Sequence, residues 1–500
     1  GEPSDVLVDR ARKESLRPAT LSPDEIISEL SHFENSFEPV EHRKILELLL
    51  RQIARTNFRE RSGLTSEKEI LQKKHYLILC IEAILEMAQI NNWGLCKNST
   101  FTYLYNGAFW SLVDGGEFQN FLGSAAEKMG IDRFDARHYV FREQLHRQFL
   151  ATSNLPNPAQ RHNEVLINLK NGTFEITPER QILRPPKRED FMTYQLPFEY
   201  DPKAKAPLFH GFLDRVQPDV KRQNILAEFL GYLFIKPATL KLEKALLLYG
   251  SGANGKSVFF EIVNALLGPE NISSYSLQSL CDESGYYRAM LGNKLLNYSC
   301  EISGRLEASV FKQLVSGEPV PARLPYGEPF ILTDYAKFIF NCNQLPSDTE
   351  QTNAFFRRFI IVPFEVTIPE GDQDRELSKK IIRSELSGVF NWVLDGLNRL
   401  LAQKNFTQSE AVTKQLEIYR EQSDTVRLFV SEEEYAKSEG DYIPLKDLFV
   451  AYQSYCIENG YRPVSKRTFS ERLKNAGIET ARKNIGYVVH VKKMFRFELH

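Results

Sequence analysis

The 500 residues carry 63 Lys+Arg against 65 Asp+Glu, a net charge of −2, and the length allows roughly three domains with separate cores. With 42% hydrophobic and 26% charged residues the composition is that of a globular protein, which excludes disordered and fibrous classes. No apolar run approaches the ~20 residues that span a bilayer, and no signal peptide opens the chain, so no membrane partner is expected. Cys80, Cys96, Cys281, Cys300, Cys342 and Cys456 show no C-x-x-C spacing, which argues against a zinc ribbon or a secreted disulfide framework and for the cytosol. The chain starts on Gly1 rather than Met, so further sequence upstream is expected.

Up to about Pro23 the residues are polar. From there to about Asn92 apolar residues recur at three- and four-residue spacing, as in Ile45-Leu46-Leu48-Leu49-Leu50-Ile53, and predict helices. Asn106-Gly107 between Phe101–Tyr105 and Ala108–Leu112 predicts a hairpin. A helical pattern returns through about Ser153, and Asn171-Gly172 predicts a second hairpin joining Val165–Leu169 to Thr173–Ile176. A Pro- and Lys-rich connector runs from Leu183 to about Pro207, and helices resume at Leu208.

The most informative stretch is Gly250-Ser251-Gly252-Ala253-Asn254-Gly255-Lys256-Ser257, which fits G-x-x-x-x-G-K-[ST]. Ala245–Tyr249 before it reads as a buried parallel strand. Val258–Leu267 after it reads as a helix stopped by Gly268 at a left-handed cap, with Pro269 beyond. Strand, glycine loop and helix aim backbone N–H groups and a helix N-terminus at a polyphosphate. Gly250, Gly252, Ala253, Asn254, Gly255 and Lys256 would wrap it, Lys256 reaching the β- and γ-phosphates and the Ser257 hydroxyl sitting on Mg²⁺. The expected cofactors are ATP and Mg²⁺.

Leu295–Glu301 reads as a strand ending in a carboxylate, which suits a Walker B acid holding Mg²⁺ through water and polarising the attacking water. A third strand, Lys337–Cys342, ends at Asn343, an amide able to orient that water. Arg357 and Arg358 precede the apolar Phe359–Phe364. Alone they read as a solvated pair; in the order loop, acid, amide, arginine they read as an arginine finger.

That order, with Leu291-Gly292-Asn293-Lys294-Leu295-Leu296-Asn297, Phe311-Lys312-Gln313-Leu314-Val315-Ser316-Gly317-Glu318 and Ala336–Pro346, resembles the superfamily 3 helicases, specifically the phage, plasmid and poxvirus primase-helicase family. The resemblance covers about residues 100 to 500. Leu230-Gly231-Tyr232 and the segment from Asn168 resemble the domain preceding the ATPase in that family, and the chain's end resembles its winged-helix terminus. The resemblance implies an AAA+-like ATPase assembled as a homohexameric ring, with each site built between two subunits. Lys256, Ser257, Glu301 and Asn343 would act in cis; Arg358 best matches the trans-acting finger, with Arg357 the alternative. A pore hairpin falls around Lys312 to Thr333, with Lys312 and Arg323 as phosphate contacts and Tyr326 as a stacking residue. Two departures stand out: Cys300, where many members carry a second acid, and a hairpin tip, Leu324–Glu328, that lacks a lysine.

From Tyr461 onward ten basic residues face three acidic ones. Leu445–Glu458 predicts a helix, and Ser465 caps a second that presents Lys466, Arg467, Arg472 and Lys474; Tyr487–Val491 and Met494–Leu499 read as wing strands. By resemblance this module binds DNA. The expected architecture is multidomain: an α-helical N-terminal region (1–95), a small α+β domain (96–205), a central α/β AAA+-like P-loop ATPase (206–425) and a winged helix (426–500). The expected function is an ATP-dependent replicative DNA helicase of a phage or mobile element, acting in a host cytoplasm on single-stranded and forked DNA. In the family such a motor is often joined to a primase or polymerase module, although the first hundred residues hold no primase acid cluster. The alternatives are an ATP-controlled origin-binding initiator without processive unwinding, and a packaging or remodelling ATPase.

Overall fold

The computed structural model describes residues 37–494 apart from 67, 99–100, 154, 156–162, 301, 303–306, 326, 344 and 346–350. The chain divides into two compact units, Gly1–Lys203 and Ala204–His500.

In the first unit, helices α1 (His42–Gln52), α2 (Phe58–Ser62) and α3 (Lys73–Ile90) lead to strands β1 (Leu95–Asn98), β2 (Phe101–Tyr105) and β3 (Trp110–Leu112). Helices α4 (Gly115–Met129), α5 (Arg133–Arg137) and α6 (Tyr139–Thr152) follow, then strands β4 (Val165–Leu169), β5 (Gly172–Ile176) and β6 (Gln181–Arg184). One core joins Ile45, Leu49 and Ile84 to Leu104, Phe118 and Phe149, so packing is continuous across residue 95. The first hairpin forms, but its loop is four residues long: Tyr105 pairs with Trp110. Asn106 Oδ1 accepts from the N–H groups of Ala108 and Phe109 (3.0 and 2.8 Å), which stretches the two-residue turn the Asn-Gly pair predicts. At the second hairpin Leu169 pairs with Gly172, whose φ of 143° only glycine adopts easily. β6 takes up the start of the expected connector.

The second unit opens with α7 (Pro207–Val216) and α8 (Val220–Tyr232), where helices are predicted. Strand β7 (Ala245–Tyr249) and helix α9 (Lys256–Leu267) flank the glycine loop; then come β8 (Ile272–Ser273), α10 (Leu277–Leu280), α11 (Tyr286–Ala289) and β9 (Leu296–Ser299). Helix α12 (Ala308–Val315) precedes a hairpin of β10 (Val320–Arg323) and β11 (Pro329–Leu332). Strand β12 (Lys337–Cys342), α13 (Asn353–Phe356) and β13 (Phe359–Pro363) complete the body. Five strands form a parallel sheet in the order β13-β7-β12-β9-β8. The connection leaving β7 runs out beyond β12 to β8, whereas the one leaving β12 returns past β7 to β13, so a switch point lies between β7 and β12. In open parallel sheets, ligands bind at the strands' carboxyl ends beside such a point. Gly268 has φ 87° but an extended ψ of 132°, a correction to the left-handed cap expected there, because the chain runs straight into the 3₁₀ turn of Pro269–Asn271.

Helices α14 (Leu377–Ser384), α15 (Leu386–Gln403) and α16 (Glu410–Gln422) follow the sheet. α15 packs on α8 through two glycines: a Cβ on Gly231 would stand 2.7 Å from Leu397 Cβ, and one on Gly396 would run into the Ala227 backbone. Buried Glu228 on α8 takes Arg399 Nε at 2.6 Å and the Thr407 N–H at 2.8 Å, so its charge is matched.

The C-terminal portion holds α17 (Thr425–Glu432), β14 (Tyr435–Lys437), β15 (Ile443–Pro444), α18 (Leu445–Glu458), α19 (Lys466–Asn475), β16 (Thr480–Lys483), β17 (Gly486–Val489) and β18 (Val491–Lys493). Its own core gathers Phe429, Tyr452, Phe469, Leu473 and Val489. Tyr487–Val491, expected as one wing strand, divides between β17 and β18; β16, paired with β17, is a further strand, and the strand expected at Met494–Leu499 lies outside the described residues from 495 onward.

Candidate functional site

The phosphate loop leaves β7 at the carboxyl edge of the sheet and enters α9 at Lys256, with Gly255 at the N-cap. Its path needs glycine for steric reasons. Gly252 and Gly255 sit at φ 116° and 87°, where a side chain is strained. A Cβ on Gly250 would stand 2.5 Å from Phe364 O and collide with the Asn254 amide; one on Gly255 would stand 2.6 Å from Val216 Cγ1. Phe212 and Val216 of α7 therefore wall the loop, and the glycine pattern alone gives no sign of them. Ala253 takes φ 49°, and its carbonyl accepts from the Ile368 N–H at 2.8 Å.

Lys256 is 6% exposed and points into the loop, donating to Gly250 O at 2.7 Å and Asn254 Oδ1 at 3.0 Å. Burial holds its ammonium below the usual lysine range, so a phosphate beside it would supply the counter-charge that burial removes. Asn254 is itself anchored by Nδ2 to Phe364 O at 3.1 Å. Ser257 is exposed on the first turn of α9, where a hydroxyl can meet a metal held on a phosphate. The loop residues thus fit a nucleoside triphosphate, and Ser257 fits its Mg²⁺. Among the described residues no cluster of three His, Cys, Asp or Glu could hold a metal by itself.

The neighbouring strands carry the next predicted residues to the same edge. Cys342 ends β12 opposite Tyr249 and accepts from the Gly250 N–H at 3.1 Å, so exposed Asn343 follows directly beside the loop's start. Burial pushes the Cys342 thiol up to about 12, so it stays neutral. On β9, buried Tyr298 donates to Asn341 Oδ1 at 2.9 Å and packs edge-on against Phe260 of α9, which ties β9, β12 and the loop helix together. Glu301, two residues past β9, lies outside the described residues.

The two arginines stand at the opposite, amino edge. Phe359 pairs with Ala245, and the Ala245 N–H donates to Arg358 O at 2.8 Å. Five strand residues separate that edge from the loop, about 16 Å at ~3.3 Å per residue. Arg358 is buried: Nε and Nη2 reach Ser316 Oγ at 3.2 and 2.9 Å, and Nη1 donates to Ala354 O. Arg357 has a 57% exposed side chain and bonds Glu243 at 3.2 Å. Lys244 lies against them, its ammonium lowered first by burial and then by Arg357 and Arg358. Lys241 also pairs with Glu243, at 3.4 Å, so four cations crowd around that carboxylate.

The predicted DNA contacts fall on different elements. Arg323, exposed at the end of β10, folds back on the hairpin tip, Nε to Gly327 O at 2.8 Å; Lys312 is on α12; Tyr326 lies outside the described residues. On α19, Lys466, Arg467 and Lys474 are exposed, Arg467 pairing with Glu471 at 3.1 Å. Arg472 does not share that face: its side chain is 13% exposed and Nη1 meets Asp424 at 3.4 Å. Arg482, Lys483 and Lys492, on β16 and β18, add exposed positive charge to this module.

Three family models match: "D5 N terminal like" over residues 90–218, a family of unknown function (DUF5906) over 248–358, which encloses the phosphate loop, and "Poxvirus D5 protein-like" over 421–496. A candidate helicase, L207/L206, of Acanthamoeba polyphaga mimivirus is 25% identical over 256 residues, 48% of this chain and 25% of that protein. Candidate helicase 121R of Invertebrate iridescent virus 3 is 22% identical over 365 residues, 63% of this chain and 37% of its own length. The chain thus spans about a quarter to just over a third of the relatives it matches. The apo C-terminal region of NrS-1 aligns at 14% identity over 64% of this chain and 94% of its own, with a TM-score of 0.36, too low to carry a fold argument. No helix among the described residues is long and apolar enough to cross a membrane. D5-type models matching on both sides of the phosphate loop, together with helicase-named viral relatives, support a phage and poxvirus type of primase-helicase family for this chain.

Proposed function

We propose that this chain is the motor of an ATP-dependent replicative DNA helicase of a viral or mobile element, turning over ATP·Mg²⁺ at the seam between copies of itself in a ring. The observation that carries this reading is the separation of the site's two halves. Lys256 and the loop glycines lie at the carboxyl edge of the sheet, Lys244, Arg357 and Arg358 at the amino edge about 16 Å away. A guanidinium there cannot reach its own loop, but it can meet a phosphate presented by a neighbouring copy. Mg²⁺-bound ATP supplies the phosphoryl bond whose cleavage releases the work. Lys256 orients its phosphates, Ser257 faces the metal, Glu301 polarises the water and Asn343 aims it. Arg357, with its exposed side chain, is the finger, and Arg358, tied to Ser316, positions it; such a finger is worth ~10³–10⁵ in rate.

In this reading the domains follow 1–95, 96–205, 206–425 and 426–500; the sheet is the AAA+-like core, and α19 with the β16–β17 hairpin forms a winged helix on DNA. The β10–β11 hairpin grips the single strand in the pore, with Arg323 and Lys312 on phosphates and Tyr326 on a base. The ring is a hexamer, works in the host cytoplasm and acts beside a primase or polymerase module. On a forked duplex, ATP-dependent strand displacement should vanish in Lys256→Ala. Mixing Lys256→Ala with Arg357→Ala chains should restore part of the ATPase activity, because some seams regain both wild-type halves. No recovery at any ratio would sink the shared site, and ATP-dependent footprinting without displacement would favour an initiator.

A further inference from the structure

A second concentration of positive charge lies where α16 gives way to the C-terminal portion. A cavity of about 390 Å³ is lined there by Asn353, Arg420, Asp424, Arg427, Arg472 and Asn475, together with the chain just before α13. Three guanidinium groups bring about fifteen N–H donors between them, and among the described lining residues Asp424 is the one carboxylate.

Among the described residues, the acceptors facing them fall short. Arg420 Nη2 has Asn353 Oδ1 at 3.1 Å, and its guanidinium lies over the Phe356 ring at 5.1 Å. Arg427 has Asn475 O at 3.4 Å and Asp424 at 3.7 Å, and Arg472 has Asp424 at 3.4 Å. These are contacts at or beyond the outer limit of a hydrogen bond. Asp424, 3% exposed, also accepts from the N–H groups of Val426 and Arg427 as the cap of α17. Among the described residues, one buried carboxylate, already shared with a helix end, thus stands against three partly buried cations.

Three guanidinium groups around one cavity suit an oxyanion presenting several oxygens at once, which planar guanidinium groups bind bidentately. The volume lies at the low end of small-ligand sites, with room for a sugar beside the phosphate, and Asn353 and Asn475 add amides able to meet it. We infer that this cavity is a phosphate site distinct from the phosphate loop, taking one nucleotide unit, either within a nucleic-acid strand or as a free mononucleotide. The strand source rests on the proposed function; the phosphate chemistry does not.

The test uses the full chain carrying Arg420→Gln with Arg427→Gln, and separately Asn353→Asp, which sets a carboxylate beside Arg420 at nearly unchanged shape. Fluorescent oligothymidylate should bind about 10-fold more weakly, with the log–log salt slope shallower by about 0.7 for the one phosphate lost. ATP affinity at the phosphate loop should not change. In a Lys256→Ala background, calorimetry with AMP and with inorganic phosphate reads the free source: binding that persists there and disappears with Asn353→Asp supports the site with a mononucleotide as occupant. If Asn353→Asp melts as the parent does and alters neither the oligonucleotide nor the AMP titration, the inference is overturned. Failure of strand displacement would count against the motor while leaving both titrations readable.

Discussion

The two edges of the parallel sheet solve opposite problems. At the carboxyl edge the backbone is fixed by what cannot fit: Gly250 and Gly255 are pressed against Phe364, Val216 and Phe212, and a single buried ammonium, Lys256, supplies the charge. At the amino edge charge is crowded instead, with Lys241, Lys244, Arg357 and Arg358 around Glu243. A phosphate is cradled by shape on one side and drawn by excess charge on the other. Substitutions at the two edges should therefore fail in different ways.

The largest separation is expected from Gly250→Ala. The added methyl meets the Phe364 carbonyl, a backbone atom that cannot step aside, and overpacking of this kind costs about 1–3 kcal/mol. Nucleotide affinity, followed with a fluorescent ATP analogue, should drop about 100-fold, whereas Arg357→Ala should leave it intact. Equal losses in the two variants would erase the distinction between the edges. Next comes stability: Arg358→Ala strips Ser316 and Ala354 of a buried partner and should lower unfolding free energy by about 2 kcal/mol. Arg357→Ala, on the exposed neighbour, should cost less than about 0.5. Chemical denaturation of the two variants reads this directly, and a reversed order would mean that Arg358, not Arg357, is the one that reaches outward.

The smallest effect is in pH. Because burial lowers the folded-state pKa of Lys256 below its ordinary 10.5, the fold disfavours the ammonium, a cost present at neutral pH and relieved as pH rises through the lowered value. Phosphate prefers the protonated form, so nucleotide affinity should weaken as pH rises from neutrality toward 10.5. Lys256→Ala should flatten that profile. Arg357→Ala should not, since a guanidinium keeps its proton throughout.

The phosphate loop was legible because its information is local: glycine spacing, a preceding apolar run and a following helix sit within one stretch of chain. Strand β12 ends at Cys342 as the apolar run does, and Lys337–Cys342 needs no distant partner to be read. The arginine pair was half legible. Sequence marks Arg357-Arg358, but which of the two turns inward is decided by Ser316, at the end of a helix about 40 residues earlier. The same limit hid Asp424, an isolated acid that draws Arg472 off the basic face of α19. Two-residue β8 is too short for any periodicity to reveal. Glu301 and Tyr326 lie outside the described residues, so their roles rest on the sequence and the family.

Helices α8 and α15 approach closely at Gly231 and Gly396, where each glycine lies against the backbone and Cβ of Leu397 and of Ala227 respectively. Two rods joined that closely turn together. Their common swing would reach α7, whose Phe212 and Val216 press on Gly255, like a crank whose handle and pin are forged in one piece.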